Sequence, residues 1–192
     1  AALKTAKKYG VKTSMDLNYR STLWKPEKAQ AVLKETMPYI DVLLGNEEDF
    51  ETCLGIKADG ASSNFSKIDP QSYKNVAEKA RELYPKIELV ATSLRDAKTG
   101  LLNDWQIAML WKGEFYVSRK FENLEIQDRI GGGDSFSSAL VYGCLTKKEP
   151  QEMIDFAASY SALCHGFKGD WNWAYKEEAE RVMKGGSARV QR

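Results

Sequence analysis

Residues 128–134 read Asp-Arg-Ile-Gly-Gly-Gly-Asp and lead straight into an apolar run of helical length, Ser135 to Leu145. Adjacent glycines are costly in backbone entropy, so Gly131, Gly132 and Gly133 either make a turn or let a ligand approach the main chain closely. A helix N-terminus presents free N–H groups and about half a unit of positive charge, which together suit a phosphate. Asp134 stands at or just before the first helical turn, where its carboxylate is either a helix cap or a base beside a bound anion. A carboxylate repels a phosphate, and phosphoryl transfer to a hydroxyl is the chemistry that needs a base at that point. No G-x-x-x-x-G-K-[ST] run occurs, and adjacent glycines do not have the G-x-G-x-x-G spacing of a dinucleotide fold.

These residues need elements to hold them. The first ten residues read as the tail of a helix, followed by a short strand at 11–17 that ends in the polar groups Asp16, Asn18 and Arg20. Pro26 opens a helix with Ala29, Val32, Leu33 and Met37 on one face. The apolar run 39–46 has the length of a strand covered on both faces, and an acidic-started helix follows it, stopped by Gly55. Residues 55–70 form a polar loop without period, the best candidate for a mobile segment. Helical spacing returns from Tyr73 to Tyr84, and 87–94 is a second buried strand. The runs 101–111 and 114–121 form a hairpin across Lys112-Gly113. Helices are expected at 135–145, 151–165 and 176–184. Such alternation predicts an α/β fold with a mostly parallel sheet flanked by helices. Asp16 to Arg20, Asn46 to Asp49 and Thr92 to Arg95 then converge at the carboxyl ends of the strands, where the glycine run joins them.

The 192 residues suit one domain, 43% hydrophobic and 29% charged. The 28 basic and 27 acidic residues nearly cancel, so no global field points to nucleic acid or a membrane. Cys53, Cys144 and Cys164 are an odd number, each within a predicted helix, which favours a reduced, cytoplasmic chain. His165 is the single histidine and has no Cys/His cluster around it, so it reads as a helix-end hydrogen-bonding group or a nucleotide-side neighbour rather than a zinc ligand.

The segment 128–134 resembles the D-T-x-G-A-G-D signature of the ribokinase (PfkB) family of sugar kinases. The resemblance continues through "DLNYRSTLW" (16–24), "GNEEDF" (45–50), "TSLRD" (92–96), "GDWNW" (169–173) and the terminal "KGGSARVQR". It covers essentially the whole chain and is closest to members acting on 2-keto-3-deoxygluconate. It implies a ribokinase-like fold, a small-molecule sugar acid and ATP as partners, and magnesium. It also implies that 1–192 is the C-terminal nucleotide-binding and catalytic portion, with an N-terminal half and a lid lying outside it.

Residue by residue, the resemblance makes Asp134 the base, and the Gly131, Gly132 and Gly133 amides the anion hole for the transferring phosphoryl group. Arg20 bridges sugar acid and phosphates, with Asn18 and Tyr19 on the nucleotide side. Asn46 and Asp49 match an N-x-x-E motif that organises magnesium through water; Glu47 and Glu48 are the alternative acids. Ser93, Leu94, Arg95, Asp96, Ala97 and Lys98 match a loop crossing the nucleotide, and Asp170 matches a sugar contact. Asp128 resembles an acid that serves a monovalent cation in some members, but Arg129 replaces the usual Thr, so no cation is assigned to it. The competing readings are a cap for Asp134, a surface ion pair for Arg20, first-turn helix stabilisation for the acids near Asn46, and a turn for Asp170. At the level of function the alternatives are a kinase for another sugar, or a nucleotide-binding piece without turnover. An uncovered sheet edge would favour pairing between copies.

Overall fold

The computed structural model describes residues 1–57 and 69–186, without the side chain of Glu47. Most of the predicted polar loop and the last residues of the terminal motif, 187–192, lie outside the described residues.

The elements are α1 (Ala2–Lys8), β1 (Ser14–Asp16), α2 (Pro26–Thr36), a 3-10 turn (Met37–Tyr39), β2 (Val42–Gly45), α3 (Glu47–Leu54), α4 (Pro70–Leu83), β3 (Leu89–Ala97), β4 (Leu102–Trp111), β5 (Glu114–Val117), β6 (Phe121–Glu125), α5 (Gly132–Leu145), α6 (Pro150–Cys164) and α7 (Lys176–Met183). The strands are hydrogen-bonded in the order β1-β2-β3-β4-β5, with β6 on β4, in a mixed sheet. The chain divides into two compact units. The described residues of the first are 1–57, 69–94 and 108–116, and those of the second are 95–107 and 117–186, so β3, β4 and β5 contribute to both.

In the first unit β1, β2 and the start of β3 run parallel, with Asp16 opposite Leu44 and Gly45 opposite Thr92. The ends of β1 and β2, carrying Asp16 and Asn46, therefore lie beside Thr92, from which β3 runs on to Ala97. Leu43, Leu44, Val90 and Ala91 are all buried, which is why these strands read as unbroken apolar runs. Leu33, Met37, Phe50, Val76, Ala80 and Leu110 fill the core against them. Val32 departs from expectation and is 45% exposed. Ala29, Leu33 and Met37 form a narrow i, i+4 stripe, and Val32 lies about 100° around the helix from Leu33.

The second unit is built on α6, where Met153, Ile154, Phe156, Ala157, Ala158 and Ala162 are buried together with Ser159 and Ser161. Both serines return their hydroxyls to carbonyls one turn back, so a helix buried nearly all round leaves no unpaired hydroxyl. Helices α5 and α7 pack on it. The hairpin turns at Lys112 (φ 51°) and Gly113 (φ 99°), the left-handed pair a two-residue turn requires. Its second arm is not one strand. Ser118 Oγ accepts the Ile107 N–H at 2.9 Å and donates to the Arg119 carbonyl at 2.8 Å, which breaks the arm before β6 begins.

Asp104 on β4 is 2% exposed. Burial opposes its ionisation, but Lys98 at 2.8 Å, the Asn123 N–H at 2.9 Å and Lys120 at 2.9 Å overcome that and hold the carboxyl well below the usual carboxylate range. Hydrogen bonds to a buried charge contribute about 1.5–3 kcal/mol each, and Asp104→Asn is expected to cost about that much at neutral pH. A depressed folded value means stabilisation that is complete above about pH 4 and drains away as the pH falls further. Urea unfolding of the two proteins at neutral pH and at about pH 3 should show the gap narrowing. A gap independent of pH would contradict this account of Asp104.

Candidate active site

In the second unit the three glycines do three different things. Gly131 is the N-cap of α5 with φ 80°, and a Cβ there would stand 2.7 Å from the Asp170 carbonyl oxygen. Gly132 faces His165, whose Nε2 would lie 2.7 Å from an added Cβ. Gly133 has nothing within 4 Å of that position, so its surface is open to a ligand. The Ser135 N–H bonds the Gly131 carbonyl at 2.8 Å and closes the first turn. No side chain caps the helix. The N–H groups of Gly132, Gly133 and Asp134 find no acceptor among the described residues, and orphan donors at a helix start suit an anion.

Asp134 is the third helical residue and not the cap, so the capping alternative does not describe it. Its exposed carboxylate is held by no hydrogen bond or ion pair among the described residues. The helix begins at Gly132, three residues before the apolar run, because the glycines themselves form its first turn. Asp128 braces the approach: Oδ1 accepts the Ile130 N–H at 3.1 Å and Oδ2 the Gly169 N–H at 3.0 Å. The Gly169 and Ile130 bonds hold its carboxyl below the ordinary value. Asp170, an expected sugar contact, thus follows a glycine tied to Asp128, and its own side chain is exposed. Asn172 had no role assigned from sequence. It donates to the Tyr160 carbonyl at 2.9 Å and to Ser135 Oγ at 3.2 Å, fastening 169–173 to α5 and α6. An asparagine in a loop carries no signal that would distinguish this.

In the first unit Asp49 is 4% exposed. Its Oδ2 accepts the Asn46 N–H at 3.1 Å, Asn46 Oδ1 accepts the Asp49 N–H at 3.0 Å, and Asp49 Oδ1 accepts the Tyr19 N–H at 3.1 Å. This is a capping box that also pins the loop after β1 to the start of α3. Burial raises the Asp49 carboxyl, the Asn46 and Tyr19 N–H groups partly offset it, and the neighbouring Asp16 adds to the rise. Arg20 is exposed and donates to the Tyr19 carbonyl at 2.8 Å; no ion pair holds it among the described residues. Asn18 sits beside it at φ 40°. No group of three His, Cys, Asp or Glu residues able to hold a metal occurs among the described residues. With both oxygens engaged by N–H groups, Asp49 fits magnesium through water and not as a direct ligand.

The expected nucleotide loop, 93–98, is strand as far as Ala97. Ser93 and Leu94 belong to the first unit and Arg95 to Lys98 to the second. Leu94 is fully buried, and Lys98 is already engaged by Asp104 and by Asn123 Oδ1 at 2.9 Å.

Residues 1–172 match the pfkB family carbohydrate kinase. The chain belongs to that family. Among curated relatives, a 2-dehydro-3-deoxygalactonokinase of Haloferax volcanii is 27% identical over 190 residues, covering 99% of this chain and 52% of the relative. Among solved structures, a 2-dehydro-3-deoxygluconokinase of Thermotoga maritima is 38% identical with a TM-score of 0.88, over 96% of this chain and 54% of that one. A putative ribokinase II of E. coli in complex with ATP and Mg2+ shares the fold, with a TM-score of 0.68 and 16% identity over 96% of this chain and 52% of that one. The chain spans about half the length of the relatives it matches. The ribokinase-like α/β fold is thereby shown, and no helix among the described residues is long and apolar enough to cross a membrane.

The pfkB glycine segment makes a direct prediction. Gly131→Ala should lose about 1–2 kcal/mol, the cost of a left-handed L-residue, and more from the Asp170 contact. Gly133→Ala should leave stability unchanged or raise it slightly, since alanine is the better helix former. Thermal unfolding distinguishes them, and equal losses would contradict the assigned geometry.

Proposed function

We propose that this protein transfers the γ-phosphoryl group of ATP to a hydroxyl of 2-keto-3-deoxygluconate, with Asp134 as the base. The observation that carries the proposal is an unpaired, exposed carboxylate one residue beyond an open glycine, at a helix start whose N–H donors have no acceptor among the described residues. In a pfkB chain whose relatives are named for 2-dehydro-3-deoxy sugar acids, that combination favours proton removal beside a developing negative charge.

Asp134 takes the proton of the acceptor hydroxyl as its oxygen bonds to the γ-phosphorus; the bond to the β–γ bridging oxygen breaks and ADP departs with that electron pair. The Gly131, Gly132 and Gly133 amides stabilise the equatorial oxygens, where one lost donor typically costs on the order of 3 kcal/mol. Arg20, free of ion pairs among the described residues, has the fork geometry for the sugar carboxylate and the phosphates, and Asp170 serves the sugar. Asn18, Tyr19 and residues 93–98 serve the nucleotide; Leu94 does so through its main chain, its side chain being buried. Magnesium, when bound, neutralises phosphate charge, and Asn46 and Asp49 would orient its waters.

The Haloferax relative favours one second reading, the galactonate counterpart as acceptor. A panel of both 2-keto-3-deoxy acids, fructose and ribose separates these, and a clear preference for a neutral sugar would overturn the acid. Asp134→Asn is expected to lower kcat by about 10²–10⁴-fold or more while leaving ATP affinity largely intact. Near-normal kcat would remove Asp134 from the role of base.

A further inference from the structure

His165 is 3% exposed and caps the C-terminus of α6. Its carbonyl accepts the Gln127 N–H at 2.8 Å, tying the chain that leads into the glycine segment to the end of that helix. Its ring nitrogen Nδ1 lies 2.8 Å from the Ser161 carbonyl. A carbonyl can only accept, so Nδ1 carries the proton, and in a neutral ring Nε2 is then a bare lone pair. Burial holds the ring neutral, and the positive charges of Arg95 at the end of β3 and Arg129 before α5 act in the same sense. The carboxylates of Asp128 and Asp134 act on the adjoining buried Cys164, whose thiol burial pushes up.

The unprotonated edge of the ring meets Gly132, where an added Cβ would lie 2.7 Å from Nε2 and 2.9 Å from Cε1. The opposite surroundings are rigid. Trp105 stands edge-on to the imidazole with centroids 4.7 Å apart, and its Nε1–H donates to Ser161 Oγ at 2.8 Å. Ser161 Oγ in turn donates to the Ala157 carbonyl at 2.8 Å. The imidazole cannot move without breaking its hydrogen bond to α6 or its packing against Trp105 of β4.

We propose that His165 is a positioning residue for the anion hole: its imidazole is the seat against which Gly132 rests, and so it sets the aim of the Gly132 and Gly133 N–H groups. The role in catalysis rests on the phosphotransferase reading above; the seat itself does not. No methyl group fits between the ring and the Gly132 backbone, so the two are in close register. A misplacement of about 1 Å at such donors costs up to about 10²-fold in rate.

The test is a rescue. His165→Asn keeps a donor for the Ser161 carbonyl and removes the Nε2 edge; Gly132→Ala drives a methyl group into that edge. Each single change is expected to shift the amide signals of positions 132 and 133 in 1H–15N spectra and to lower kcat about tenfold or more, with KM for ATP little changed. In the double variant the methyl group occupies the vacated space, so the Gly133 signal and kcat should return toward the original. A merely structural histidine gives losses that add, and additive losses would overturn the proposal. The unsubstituted chain supplies a second measurement should His165→Asn not fold. Its His165 Nε2 must show the 15N shift of an unprotonated nitrogen, and protonating it must carry the Gly132 and Gly133 amides with it; amides that ignore the imidazole would equally overturn the seat. The spectra need no turnover, so the two readings fail separately. Coupled amides without sugar phosphorylation would sink the reaction and keep the seat, and turnover with additive losses would do the reverse.

Discussion

A helix cannot satisfy its own first N–H groups, and at α5 the chain supplies no side chain to do so. Helices α1, α2 and α6 also lack a side-chain cap, but two other helix starts are treated differently. At α3 Asn46 and Asp49 form a capping box, and at α4 Asp69 accepts the Gln71 N–H. At α5 glycine occupies the cap and the next two positions, and the nearest carboxylate, on the third helical residue, accepts from none of the donors. The unsatisfied donors cost stability unless an anion or water meets them, and that unfilled requirement is what gives the segment its chemistry.

The remainder of the second unit keeps those donors in place. Helix α6 is buried nearly all round and ends at His165, whose carbonyl and ring hold the approach to the glycines and Gly132 itself. Asp128 ties the same approach to Gly169. In the first unit Asp49 spends both its carboxylate oxygens on main-chain N–H groups, so the loop carrying Asn18, Tyr19 and Arg20 is fastened to α3 while the Arg20 guanidinium has no ion pair among the described residues. In both units a buried or braced acid fixes the backbone, and a nearby exposed charged side chain has no ion pair among the described residues.

Local signals were legible in the sequence. Pro26, Gly55 and the Lys112-Gly113 turn act within a few residues, and each stands where its backbone preference places it. The glycine run before an apolar helix was equally readable, because the need for an open backbone is written in the residues themselves. What escaped depends on partners outside the local pattern of each residue. The arm after the hairpin breaks because Ser118 meets Ile107; Lys98 turns to Asp104; Gly132 must be glycine because of His165, far along the chain at the end of α6. Nothing within the local pattern of Ser118, Asn172 or His165 reports those contacts. Asp49, a magnesium organiser by resemblance, is also a fastener of the backbone, since the acid that follows Asn46 by three residues is the one a capping box requires.

The central claim is that the open helix start and Asp134 together move a phosphoryl group to a sugar hydroxyl. The most direct measurement is the product balance of the protein with ATP, magnesium and 2-keto-3-deoxygluconate, followed by 31P NMR. The account predicts one sugar phosphomonoester for each ADP and negligible ADP without the sugar. ADP accompanied by inorganic phosphate alone, or ADP formation indifferent to the sugar, would contradict it.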